Sequence, residues 1–143
     1  MSAVLTFVVS VLLSGVVAAI VAHRLASGRA AGERVQTTQS RLVALVGEIR
    51  DNIELAAKPI IGSGKVSLLT EQWSAAREHL TDAPSHIEEA LRAAYVEVER
   101  YNSLAAQART LPYGAGYMDS EVKQQAEQAK VKLEEALKVL TSK

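Results

Sequence analysis

The feature that most constrains this chain is residues 3–22, a run of twenty amino acids without a charged side chain. A helix needs about 20 such residues to cross the hydrocarbon core of a bilayer, which is roughly 30 Å thick. Twelve of the twenty are Val, Leu, Ile or Phe, and their insertion free energies of about −0.3 to −0.6 kcal/mol each outweigh the cost of the few polar residues. The sequence therefore predicts one N-terminal transmembrane helix.

The charges that follow this run predict its orientation. Residues 23–41 contain four arginines, Arg24, Arg29, Arg34 and Arg41, and one acid, Glu33. Basic residues beside a transmembrane helix favour the cytoplasmic side. We therefore expect an inner-membrane protein with its N-terminus outside and its C-terminal domain in the cytoplasm. A cleaved signal peptide is the alternative, supported by a weak Ala-Ser-Gly site at residues 26–28. It is disfavoured because no basic region precedes the run, which is also longer than the usual 7–15 or so apolar residues.

Small residues recur every fourth position in the predicted membrane helix, at Ser10, Ser14, Ala18 and Ala22. Such a stripe lets a second helix approach closely. We expect it to be the contact for a homo-oligomer or a partner helix, although small residues are also common in membrane segments without this role.

Length and composition bound the rest of the chain. We expect an all-α protein with an anchor at residues 1–26, a glycine-containing hinge at 27–32 and a bundle of about four helices at 33–143, which is the size of one domain. Acidic and basic residues number 16 each, so the overall charge does not predict nucleic-acid binding. The absence of cysteine excludes disulfides and thiolate ligands.

Apolar spacing predicts the helices of the bundle. The first runs from residue 33 to about 58, with Asn52 beside its apolar face as a polar contact to a neighbouring helix or loop. A short helix over residues 70–80 has Thr70 as its N-cap, and its Trp73, the only tryptophan, is expected to be a core anchor. The third helix begins with a capping box of Ser85 and Glu88 and continues to about residue 110.

The last predicted helix begins with Asp119 as its cap and is expected to close the bundle of its own monomer, with pairing between chains as the alternative. Its inner face is predicted to contain the apolar residues at three- and four-residue spacings: Val122, Ala126, Ala129, Leu133, Leu137 and Leu140. The preceding loop, residues 111–119, contains Tyr113 and Tyr117. These tyrosines are candidates for contact with a partner or the membrane interface, and equally for covering a helix end.

Motifs for catalysis or metal binding do not emerge from the sequence. Gly64-Lys65 lacks the upstream glycine and the following Ser or Thr of a phosphate-binding loop. The chain has no Glu-x-x-His pair of the kind used by di-metal bundles, and no Gly-x-Ser-x-Gly elbow of a hydrolase. We therefore expect no catalytic, cofactor-binding or metal-binding residues.

Three short stretches together resemble a pattern in uncharacterised prokaryotic single-pass membrane-anchored helical proteins. They are Glu48-Ile49-Arg50-Asp51-Asn52, then Leu69-Thr70-Glu71-Gln72-Trp73, and then residues 95–102 with Tyr95, Tyr101 and Asn102. The resemblance covers roughly residues 40 to 105. It implies a helical scaffold and names no catalytic residue.

These observations favour a non-enzymatic, membrane-anchored interaction or scaffold module, such as an accessory subunit of a membrane complex. The alternative is a membrane-surface or lipid-responsive sensor domain that uses the basic residues between Arg24 and Arg41 and the tyrosine loop on anionic lipid.

Overall fold

Four α-helices and one 3-10 helix make up most of the residues that the structure, a computed structural model, describes, which are 30–58, 66–111 and 118–142. The α-helices are α1 (Ala30–Ala57), α2 (Glu71–Ala76), α3 (Ser85–Thr110) and α4 (Asp119–Thr141), and the 3-10 helix is Arg77–Asp82. Side chains are described from residue 39 onward, apart from those of 81 and 82. Within these ranges the fold is all-helical, as predicted.

The membrane prediction concerns other residues. Residues 3–22 lie outside the described ranges. In the part of the chain that the structure describes, no helix is both long and apolar enough to span a bilayer. Of the predicted hinge, residues 30–32 belong to α1, and 27–29 lie outside the described ranges.

The long helices bury the faces that their apolar spacing predicts. On α1 the buried apolar residues are Leu42, Leu45, Val46 and Ile49. On α3 Tyr95 is buried beside a row that alternates four- and three-residue spacings through the helix: Ile87, Leu91, Ala94, Val98, Tyr101, Ala105 and Ala108. Helix α4 packs on both α3 and α1 of the same chain. It therefore closes the bundle within one monomer.

Between α1 and α3 along the chain, an irregular segment packs in the bundle where a long helix could otherwise lie. Residues 66–76, here called the return segment, consist of five residues without regular structure followed by the six-residue helix α2. The segment runs back along α1, because its residue Leu69 contacts Asn52 whereas its residue Ala75 contacts Arg41. Leu68, Trp73 and Ala76 anchor it in the core.

The contacts of the return segment also fix the directions of the long helices. Glu48 of α1 bonds Tyr95 of α3, and further along both helices Asn52 and Asn102 bond the adjacent residues Leu69 and Leu68. Helices α1 and α3 are therefore parallel. Because residues at the end of α1 and the start of α4 line one cavity, α4 runs antiparallel to both. The ends of α1 and α3 and the start of α4 thus lie together, at what we call the far end of the bundle.

Of three predicted helix caps, one is confirmed in position and two are wrong. Thr70 occupies the N-cap position of α2, as predicted, but makes no side-chain cap bond. Pro84, not Ser85, is the N-cap of α3, so Ser85 and Glu88 are displaced by one position and cannot form the capping box. Glu88 instead pairs with Arg92 at 2.8 Å. Helix α4 has Met118 in its N-cap position, which makes Asp119 its first helical residue.

One predicted core position of α4 is also wrong. Leu137 is only partly buried, whereas Ala136 is fully buried with Val122, Ala126, Ala129, Leu133 and Leu140. The buried set continues the alternation of four- and three-residue spacings without a break. The inner face is therefore set by helical geometry, because the larger leucine at the neighbouring position points to the side of that face.

Candidate functional site

A buried carboxylate lies at the centre of the bundle. Glu48 is 5% exposed, and its Oε2 accepts the backbone N–H of Gln72 at 2.7 Å while its Oε1 accepts the N–H of Trp73 at 3.1 Å. These amides belong to the first turn of α2, whose N–H groups have no partner inside the helix. Glu48 thus supplies, from another helix, the cap that Thr70 does not provide, and its negative charge lies at the favourable end of the helix dipole.

Tyr95 of α3 completes the environment of this carboxylate. Its hydroxyl donates to Oε1 of Glu48 at 2.7 Å, and its ring stacks on that of Trp73 with centroids 4.6 Å apart. Burial raises the pKa of Tyr95 well above its usual value of 10.0, and the hydrogen bond to Glu48 and the charge of Glu48 raise this pKa further. Tyr95 therefore remains a neutral donor at all ordinary pH values.

Two asparagines hold the backbone of the return segment, one from each parallel helix. Asn52 of α1 accepts the N–H of Leu69 at 2.6 Å and donates to the carbonyl of the same residue at 2.8 Å. Asn102 of α3 makes the same pair of bonds to Leu68, at 2.7 and 2.9 Å. A side-chain amide presents one acceptor and two donors, which allows it to pair with a residue's backbone as a neighbouring strand would. Residues 68 and 69 lie outside any helix, and the two amides provide the partners that their backbone groups would otherwise find in regular secondary structure.

Further side chains attach both ends of the return segment. The hydroxyl of Tyr101 donates to the carbonyl of Val66 at 3.0 Å. At the other end, Arg41 donates from Nη1 to the carbonyl of Ala75 at 2.9 Å, near the last turn of α2. A cation at this end of a helix complements the partial negative charge of its carbonyl groups. Arg41, predicted as a membrane-proximal basic residue, thus takes part in the fold of the bundle.

The polar side chains that bond the return segment, together with Tyr95, are here called the buried cluster. They act by positioning a backbone segment. Each of the cluster's hydrogen-bonded polar groups pairs with the return segment or, in the case of Tyr95, with Glu48, which itself holds the segment. The bonds orient the chain over a length that has little regular structure of its own. Within the described ranges, no group of three or more His, Asp or Glu side chains is arranged to hold a metal ion.

The candidate residues from the sequence fall into three groups. Those of the membrane stripe, two of the arginines and both loop tyrosines lie outside the described residues: Ser10, Ser14, Ala18, Ala22, Arg24, Arg29, Tyr113 and Tyr117. Arg34 lies in α1, in a stretch where only the backbone is described. Trp73 is 5% exposed and belongs to the core cluster. Arg41 and Trp73 are therefore the two whose contacts can be stated, and both hold the return segment.

Part of the cluster is predicted by the sequence. The interpretation of Asn52 as a polar contact to a neighbouring loop is confirmed by its two bonds to Leu69. Glu48 and Asn102 had no predicted role. The available signal for Glu48 was its spacing, because it lies four residues before Asn52 and between the buried residues Val46 and Ile49. A charged residue inside an apolar face needs buried partners, and this requirement could have singled it out.

A cavity of about 830 Å³ lies at the far end of the bundle, between the end of α1 and the first turns of α4. Its walls combine alanines with the charged residues Lys58, Asp119, Lys123, Glu127 and Lys130. Lys130 approaches Glu127 at 3.7 Å, so these two charges partly offset one another.

Comparisons of the chain with protein-family models, with curated proteins and with solved structures find no match. The residues that carry the resemblance described above nevertheless share one location. Glu48, Asn52, Trp73, Tyr95 and Asn102 all belong to the buried cluster or to the segment that it holds. In this chain the residues of the pattern are therefore the ones whose contacts hold the return segment between two parallel helices.

Proposed function

We propose that this protein is a non-enzymatic scaffold or interaction module, anchored in the inner membrane by residues 3–22, with its helical domain in the cytoplasm. In this role it would serve as an accessory subunit of a membrane complex. The observation that carries the proposal is the use of polar groups in and beside the core: the buried Glu48 and Asn52 and the partly buried Asn102 all bond the chain's own backbone. Such bonds stiffen a domain and fix the relative positions of its surfaces, which is what a docking platform requires.

The anchor is supported by the length of the uncharged run and by the arginines that follow it. Its stripe of Ser10, Ser14, Ala18 and Ala22 is the proposed contact with a second copy or a partner helix in the membrane. The full chain should stay in the membrane fraction after carbonate washing, and protease added to intact cells should leave the helical domain uncut. Release of a shortened soluble chain would instead show that residues 3–22 are a signal peptide.

The far end of the bundle is the proposed site of partner contact. Helix α1 is 28 residues long, so its far end lies about 40 Å from Ala30, at a rise of about 1.5 Å per residue. Apolar side chains are exposed in the segments that reach this region, among them Val66 at 56% and Leu111 at 46%. Tyr113 and Tyr117 lie between α3 and α4 in the sequence and outside the described residues. Aromatic residues are enriched at protein interfaces, and the fully buried core of an interface is more apolar than the rest of the surface.

The position of Leu111 also bears on the choice between protein and lipid. The connection of residues 112–117 lies outside the described residues. Both of its neighbours, Leu111 and Met118, lie at the far end, away from Ala30, the first described residue after the predicted anchor. This position favours a protein partner in the cytoplasm over the bilayer surface as the contact of the far end.

Site-specific photo-crosslinking in intact cells tests this assignment. A photoreactive phenylalanine analogue replaces Leu111 in one variant and Val96 in a matched control, because Val96 is 45% exposed and lies in the middle of α3, away from the far end. We expect a discrete protein adduct from position 111 and none from position 96. Equal adducts from both positions would refute a far-end interface, and adducts with lipid alone from position 111 would support the lipid-responsive alternative.

A further inference from the structure

We draw no further inference here: the strongest candidate, the cavity of about 830 Å³ between the end of α1 and the first turns of α4, adjoins chain segments outside the described residues, and nothing in the described part of the chain shows what covers it.

Discussion

Replacing Asn52 by leucine tests whether the buried amides hold the return segment. Leucine is close to asparagine in size and suits the apolar surroundings of this fully buried position, so the change removes two hydrogen bonds without opening a large cavity. It leaves the N–H and the carbonyl of Leu69, bonded in the native protein at 2.6 and 2.8 Å, without their partner. Each buried polar group left unsatisfied costs about 1–3 kcal/mol. Both groups of Leu69 are only partly buried, so water can partly replace the lost bonds. We therefore expect the free energy of unfolding to fall by about 2–4 kcal/mol, which is less than the full cost of two unsatisfied groups.

Urea unfolding of the full chain in a mild detergent measures this change. The single tryptophan, Trp73, reports on the transition because it lies in the return segment and stacks on Tyr95. Asn52→Asp is a second variant of nearly identical shape, which keeps an acceptor for the N–H of Leu69 but turns an oxygen towards its carbonyl. It should also be destabilising. Gln128→Leu is the matched control, since it replaces an exposed amide by the same aliphatic group and should change stability by less than about 0.5 kcal/mol.

Unchanged stability of Asn52→Leu would contradict this prediction. If Asn52→Leu is as stable as the native chain, the gain from burying an aliphatic side chain equals the loss of both bonds. The amide would then not be needed to hold residue 69. A loss of stability accompanied by a changed dependence on urea concentration would indicate a more open folded or denatured state, because that slope scales with the surface exposed on unfolding.

Two further predictions concern the aromatic pair. Trp73→Ala should lower the free energy of unfolding by about 3–5 kcal/mol because the ring is buried, whereas Trp73→Phe should cost less, and thermal unfolding followed by circular dichroism compares them. An unchanged melting temperature for Trp73→Ala would contradict the burial of the ring. Stability should also fall as the pH rises above about 10, where the tyrosine of the unfolded chain ionises but Tyr95 in the folded chain, whose pKa is raised mainly by burial, does not. The contribution of one such group is about 1.4 kcal/mol per pH unit. It is absent in Tyr95→Phe, so identical pH profiles for the two proteins would refute it.

Apolar spacing predicts the long helices well because their burial repeats regularly. On α3 the buried apolar residues follow such a spacing from Ile87 to Ala108. The error in α4 arose where size competed with spacing, since Leu137 is the more hydrophobic residue but Ala136 has the correct angular position. Helix caps were misplaced because they depend on the backbone angles of single residues. Pro84, for example, has φ −54° and ψ 138°, and so takes the place predicted for Ser85.

The buried cluster could be predicted only in part, because its partners are far apart in the sequence. Glu48 caps a helix that begins at residue 71, and its third donor, Tyr95, is 47 residues away. Neither spacing nor composition indicates such a pairing in a single sequence. A buried polar residue such as Asn52 signals that a partner exists, since an unpaired amide in the core would be costly, but the identity of that partner comes from the fold.

The irregular return segment explains why the core of this bundle contains polar residues at all. A long helix in its place would satisfy its own backbone, and apolar faces alone would suffice to pack it. Residues 66–70 cannot do so, and the flanking helices therefore provide the missing donors and acceptors through Asn52, Asn102 and Tyr101. These bonds reach three successive parts of the segment from both sides, so a shift by one residue would break all of them. The polar core thereby fixes the register of α1 against α3, and with it the arrangement of the far end where we propose that a partner binds.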